Sequence, residues 1–110
     1  MWLLRDGTVL ASAEVATSLS ARTRGLLGRD GIDGAMVLAR TRSVHSAGMR
    51  FALDVAFLSR DLEVLDIVHL APWRFTRPRR RGRLVLEAEA GAFERWGLCR
   101  GDRLELRGAQ

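Results

Sequence analysis

Side chains able to do chemistry are few in this chain, and the most compact group of them is His45, Arg50 and Asp54, set in an otherwise apolar stretch. An arginine can hold an anionic group through a forked pair of N–H donors, and a histidine can give or take a proton near neutral pH. Met49 and, further along, Trp73 would then supply apolar walls to a pocket. A structural role competes for Asp54. It alternates against Leu53, Val55 and Phe57, so its carboxylate must be satisfied by capping backbone N–H groups or by pairing with Arg24 or Arg50. Glu87 alternates in the same way against Leu84, Leu86 and Ala88, and is expected to face solvent or to form an ion pair with an arginine across a sheet.

Other chemistries find little support. Cys99 is the only cysteine, which excludes an intrachain disulfide and any cysteine-based zinc motif. The bland role for Cys99 is a small residue at a turn. With only His45 and His69 beside it, neither a metal site nor a bound cofactor is expected. Ser46 follows His45 directly, and neighbours on a strand point to opposite faces, so the two do not make a triad. The sequence contains no Gly-x-Ser-x-Gly elbow and no glycine-rich phosphate loop; Gly91, Gly97 and Gly101 read as punctuation. Asp102 after Gly101 reads as a turn residue bonding its own backbone. A hydrolase would need two facing carboxylates, such as Asp54 and Glu87, or an activated Ser46. The function expected first is therefore a non-catalytic binding or accessory module, recognising a small anionic ligand or a partner segment near His45, Arg50 and Trp73.

Charge suggests an alternative. The net charge is +5, every basic residue is arginine, and lysine is absent. Arg74, Arg77, Arg79, Arg80, Arg81 and Arg83 fall between residues 74 and 83 with no acid among them, while the remaining arginines are balanced by Asp and Glu. Trp73 and Phe75 interleave with these cations, as aromatic residues do in proteins that bind single-stranded nucleic acid. Electrostatic binding of nucleic acid or of an acidic partner through this loop is the rival expectation. A solvated loop whose arginine content reflects a GC-rich genome would look the same in sequence.

The elements that must position these residues are short. A length of 110 residues with 47% apolar and 28% charged residues suits one globular domain, 1–110. Trp2 to Leu4 and Thr8 to Val15 form a hairpin about Asp6-Gly7. A helix over about 18–28 follows from a Thr17 or Ser18 cap and the spacing of Leu19, Thr23 and Leu26, with Gly28 able to stop it. Strands are expected at 35–39, around 53–57, at 62–70 and at 84–88, with a short helix at 91–97 and a last strand at 103–106. The apolar run 62–70 should lie centrally in its sheet. Pro72 and Pro78 bracket an exposed loop. Short turns favour antiparallel pairing, so the fold class is mainly β (α+β): a twisted antiparallel β-sandwich or a partly closed barrel carrying two short helices. Arg5-Asp6-Gly7 interrupts the apolar start before it could act as a signal core, and no run approaches bilayer length, so a cytoplasmic location without membrane contact is expected.

Several segments resemble a known family. Arg24-Gly25-Leu26-Leu27-Gly28-Arg29, Ala35-Met36-Val37-Leu38, and Ser43 through Leu58 are similar, in that order, to motifs of the bacterial and archaeal family called domain of unknown function 192. Pro72-Trp73-Arg74, Val85-Leu86-Glu87 and Gly101-Asp102-Arg103-Leu104 extend the similarity, which runs from about Val15 to Leu106. Ala47 and Ala52 stand where the similar branch has Phe and Pro. The resemblance implies a β-rich fold with a helix or two and no established reaction.

Overall fold

The structure, a computed structural model, describes residues 1–17 and 34–108. Strands are β1 (Trp2–Arg5), β2 (Thr8–Ala16), β3 (Ala35–Ala39), β4 (Leu53–Leu58), β5 (Val64–Leu70), β6 (Leu84–Glu89) and β7 (Leu104–Arg107); one short helix, α1 (Ala92–Trp96), precedes β7. The helix expected at 18–28 lies outside the described residues. The hairpin between β1 and β2 turns on Asp6 and Gly7, both left-handed with φ of 51° and 79°. Two successive positive φ values match the twist of the flanking strands, which is why an Asp-Gly pair serves there.

The seven strands form one mixed sheet in the order β5-β4-β6-β3-β2-β1-β7. Two expectations need correction. Pairing is antiparallel except between β2 and β3, which run parallel with Val15 opposite Val37. Tight turns dictate antiparallel pairing only for the strands they join, and the long connection from β2 to β3 permits a crossover. The apolar run that becomes β5 lies at an edge, not centrally. It is only partly covered: its ends, Val64 and Leu70, are buried, Leu65 to Val68 are half-buried and His69 is exposed, and the sheet curls until its two edge strands meet at one corner. Glu63 and Arg103 form an isolated bridge there, and Val64 N–H donates to Asp102 O at 2.8 Å while Leu104 N–H donates to Leu62 O at 3.0 Å. The pairing does not continue, so the sheet is not closed into a barrel.

Alternation divides the buried side chains between the two faces of the sheet. Leu3, Val37, Ala56, Leu58, Leu86 and Leu104 pack on one face with Phe93 of α1. Met36, Leu38, Leu53, Val55, Phe57 and Val85 pack on the other with Val44 and Met49 from the β3–β4 connection. Arg5 of β1 ties the first face shut, donating to Gly97 O and Asp102 Oδ2 at 2.9 and 3.0 Å and to Trp96 O at 2.6 Å.

Candidate functional site

Asp54 is a cap. Its Oδ2 accepts from Gly91 N–H and Phe93 N–H at 2.9 and 3.1 Å, satisfying the start of α1, for which Gly91 has no side chain of its own to offer. His69, its cross-strand neighbour, places Nδ1 3.5 Å from Oδ1. Glu87 is fully buried and does not face solvent. It stands opposite Met36 on β3 and Val55 on β4, and no buried side-chain nitrogen or oxygen among the described residues lacks a hydrogen-bond partner. Register also separates the two carboxylates: Val55 faces Glu87 whereas Asp54 faces Ala88, so Asp54 and Glu87 project from opposite sides of the sheet. They are not assembled as an acid–base pair. Arg24, the other ion-pair candidate, lies outside the described residues.

His45 and Trp73 belong to a two-stranded ribbon built from loops. His45 and Phe75 form a bridge, Thr76 N–H donates to Val44 O at 2.9 Å, and Ser46 N–H donates to Arg74 O at 2.8 Å. Ser46 is the knot in this ribbon. Fully buried, it donates its hydroxyl to Ala71 O at 2.6 Å and accepts from Arg74 N–H at 2.9 Å, while its carbonyl accepts from Trp73 and Met49. The knot holds Trp73 in the left-handed region, with φ of 60°, and leaves its side chain outside. Trp73 is 68% exposed and Phe75 is 80% exposed. Met49 is buried in the second core, and Arg50 is exposed.

The arginine loop divides by role. Arg79 is half-buried: Nη2 and Nε lie 3.0 and 3.1 Å from Asp66 Oδ2, and its guanidinium sits 4.3 Å over the Phe57 ring. It fastens the loop to the sheet. Arg74 and Arg77 are exposed along the outer arm. Arg80, Arg81 and Arg83 meet three arginines from elsewhere in the chain that sequence reasoning did not select. A cavity of about 590 Å³ is lined by Arg40, Arg42, Arg60 and Arg83 with Ala39, Gly82 and Leu84. A second, of about 340 Å³, is lined by Arg60, Arg80, Arg81 and Arg83, so the two share Arg60 and Arg83.

Sheet topology explains the convergence. β6 lies between β3 and β4 and runs antiparallel to both, so its first residue meets their last ones: Leu84 pairs with Ala39 and with Leu58. Arg40 follows β3, Arg60 follows β4 by two residues, and Arg83 precedes β6. Backbone bonds lock the three segments together, with Thr41 N–H to Arg83 O at 3.0 Å and Arg83 N–H to Leu58 O at 2.8 Å. Among the described residues, Arg40, Arg42, Arg60, Arg80 and Arg81 form no ion pair. The signal in the sequence was an arginine just after β3, just after β4 and just before β6, visible only once strand order is known. No group of three or more His, Cys, Asp or Glu that could hold a metal occurs among the described residues. No helix among them is long and apolar enough to cross a membrane.

The family model DUF192, described as an uncharacterised ACR, matches residues 2–106. The chain belongs to this family. A UPF0127 protein of Pyrococcus furiosus is 44% identical over 63 residues, covering 57% of this chain and 54% of that protein. A UPF0127 protein of Thermococcus sibiricus is 29% identical over 98 residues, 84% of this chain and 64% of that protein. The chain thus spans between about half and two thirds of these relatives. Among solved structures, a protein of unknown function from Novosphingobium aromaticivorans shares the fold with a TM-score of 0.78 at 24% identity, over 96% of this chain and 84% of that one. Another, from Sinorhizobium meliloti, is described provisionally as a transcription regulator; it has a TM-score of 0.77 at 28% identity, over 94% and 89% of the two chains.

Proposed function

We propose that this DUF192 protein is a non-catalytic binding module that grips a phosphate-bearing polyanion in the arginine groove at the ends of β3, β4 and β6. One observation carries this: six arginines from three separate segments line two cavities that share a wall, with no acidic residue among the described residues of that lining. Concentrated positive charge with no ion-pair partner among the described residues is costly to fold unless a counter-charge arrives, and walls of low dielectric focus its field outward. Guanidinium groups suit phosphate because each offers a planar fork of donors. The provisional description of the Sinorhizobium meliloti structure as a transcription regulator is compatible with a polyanionic partner. The ribbon that carries His45 and Trp73 joins the groove through Thr41, bonded to Arg83, and Arg42, bonded to Arg79.

Calorimetric titration with sodium polyphosphate tests the proposal. Binding should weaken with salt. The slope of log K against log salt should fall by about 2 in the triple variant Arg40→Gln, Arg60→Gln, Arg83→Gln, since each phosphate neutralised on a single strand adds ~0.7 to that slope. Salt-independent binding, or a triple variant that binds as the parent does, would refute the groove.

A further inference from the structure

The polyanion has a chemical identity that the neighbouring ribbon points to. We infer that it is single-stranded nucleic acid, with phosphates along the arginine groove and bases stacked on Trp73 and Phe75; this rests on the groove proposed above. The ribbon physically joins the two ends. Its inner arm runs from Thr41, bonded to Arg83, through Arg42, bonded to Arg79, to Val44, His45 and Ser46, bonded or bridged to Thr76, Phe75 and Arg74. Arginines therefore stand at one end and exposed aromatics at the other. Fully extended at ~3.3 Å per residue, the segment from Arg42 to Ser46 would reach at most about 13 Å. A strand engaging both ends needs only a few nucleotides, and small β folds that bind single strands have sites of ~4–16 nucleotides.

Trp73 adds what electrostatics alone would not. A bulky residue in the left-handed region is strained and persists only where its surroundings enforce it. Here the enforcement is visible: Trp73 N–H donates to Ser46 O at 3.0 Å and Arg74 N–H to Ser46 Oγ at 2.9 Å. The strain holds a large aromatic face outward, where it buries little of its own surface. A backbone already fixed beneath the ring spares that part of the ordering cost when a base stacks on it. Duplex DNA would leave these rings unused, since its bases are already stacked on one another. A bilayer would engage the aromatics as well; the two open arginine depressions share Arg60 and Arg83, which a flexible chain of phosphates can follow from one to the other.

The test uses the full chain with three probes: fluorescein-labelled dT12 by anisotropy, sodium polyphosphate by calorimetry, and phosphatidylglycerol vesicles by sedimentation. The double variant Trp73→Ala, Phe75→Ala should weaken dT12 binding at least tenfold, at ~1–3 kcal/mol per stacked base. It should leave polyphosphate affinity unchanged, and Trp73→Phe should retain most of the dT12 affinity. Both aromatics are exposed, so urea unfolding should show the variants folded. If polyphosphate binds through the groove but dT12 does not, or binds equally to the double variant, this inference fails and the groove stands. If polyphosphate does not bind, the groove itself fails. Tighter binding to vesicles than to dT12, lost in the double variant, would overturn the inference and reassign the surface to a membrane.

Discussion

Replacing Ser46 by alanine isolates a single hydroxyl. Every backbone bond of Ser46 survives the change: its N–H to Arg74 O, and its carbonyl from Trp73 N–H and Met49 N–H. What disappears is the hydroxyl's donation to Ala71 O at 2.6 Å, shared with a longer contact to Arg74 O at 3.3 Å, and its acceptance from Arg74 N–H at 2.9 Å. Only one oxygen atom is removed, so the cavity left is small and its contribution minor. Two neutral hydrogen bonds at about 1 kcal/mol each give a loss of about 2 kcal/mol. The figure would approach ~4 kcal/mol if neither stranded backbone group could reach water. In urea, with a slope of roughly 2 kcal/mol per molar, the midpoint should fall by about 1 M with the slope unchanged. Locally, loss of ~2 kcal/mol should speed amide exchange at Arg74 by about 30-fold, since ~1.4 kcal/mol is a factor of ten. An unchanged midpoint together with unchanged exchange at Arg74 would show that Ser46 does not hold the ribbon, and the pre-positioning of Trp73 would lose its physical basis.

Asp54→Ala removes the acceptor at the start of α1 and should cost about 1–2 kcal/mol, while Asp54→Asn, which keeps one oxygen, should recover part of that; urea unfolding of the pair distinguishes them. Gly34→Ala should be severely destabilising, because φ is +74° and a Cβ there would lie 2.6 Å from the Ser12 carbonyl oxygen. A thermal midpoint within about 2 °C of the parent would contradict that geometry. Arg79→Ala should lower stability by about 1 kcal/mol, since its ion pair with Asp66 is partly solvated and its stacking over Phe57 adds a similar small amount. Its effect on polyphosphate affinity, read by the same calorimetry, should be smaller than that of Arg60→Gln, because Arg79 is already engaged with the sheet.

Much of the fold was legible because it is written locally. Asp6-Gly7 specifies a hairpin whatever surrounds it, and the alternation through Leu53, Val55 and Phe57 marks a strand with two different faces. The capping role open to Asp54 followed from the same alternation, since a carboxylate on an apolar strand must find donors; which donors could not be read, because Gly91 and Phe93 lie far along the chain. Glu87 was harder. Its alternation said that it opposed Leu86, and solvent was the natural occupant of that side. The sheet proved to be packed on both faces, so the same alternation placed the carboxylate inside. The apolar run of β5 misled for a different reason: Leu65, Ile67 and Val68 are apolar yet only half-buried, and strand order is set by pairing that no local pattern records.

By itself the sequence determined roughly where strands lie, which turns reverse them, and that it carries no nucleophile or metal motif, because these depend on residue types a few positions apart. It also determined that an excess of arginine gathers near residues 74–83. Only the tertiary structure decided which arginines share a groove. Strand order puts the ends of β3 and β4 on either side of the start of β6, and this brings Arg40, Arg42 and Arg60 to Arg80, Arg81 and Arg83 while turning Arg79 inward to Asp66. Charge is a property of residues, but field is a property of their arrangement, and arrangement here follows from pairing between segments that no local pattern connects.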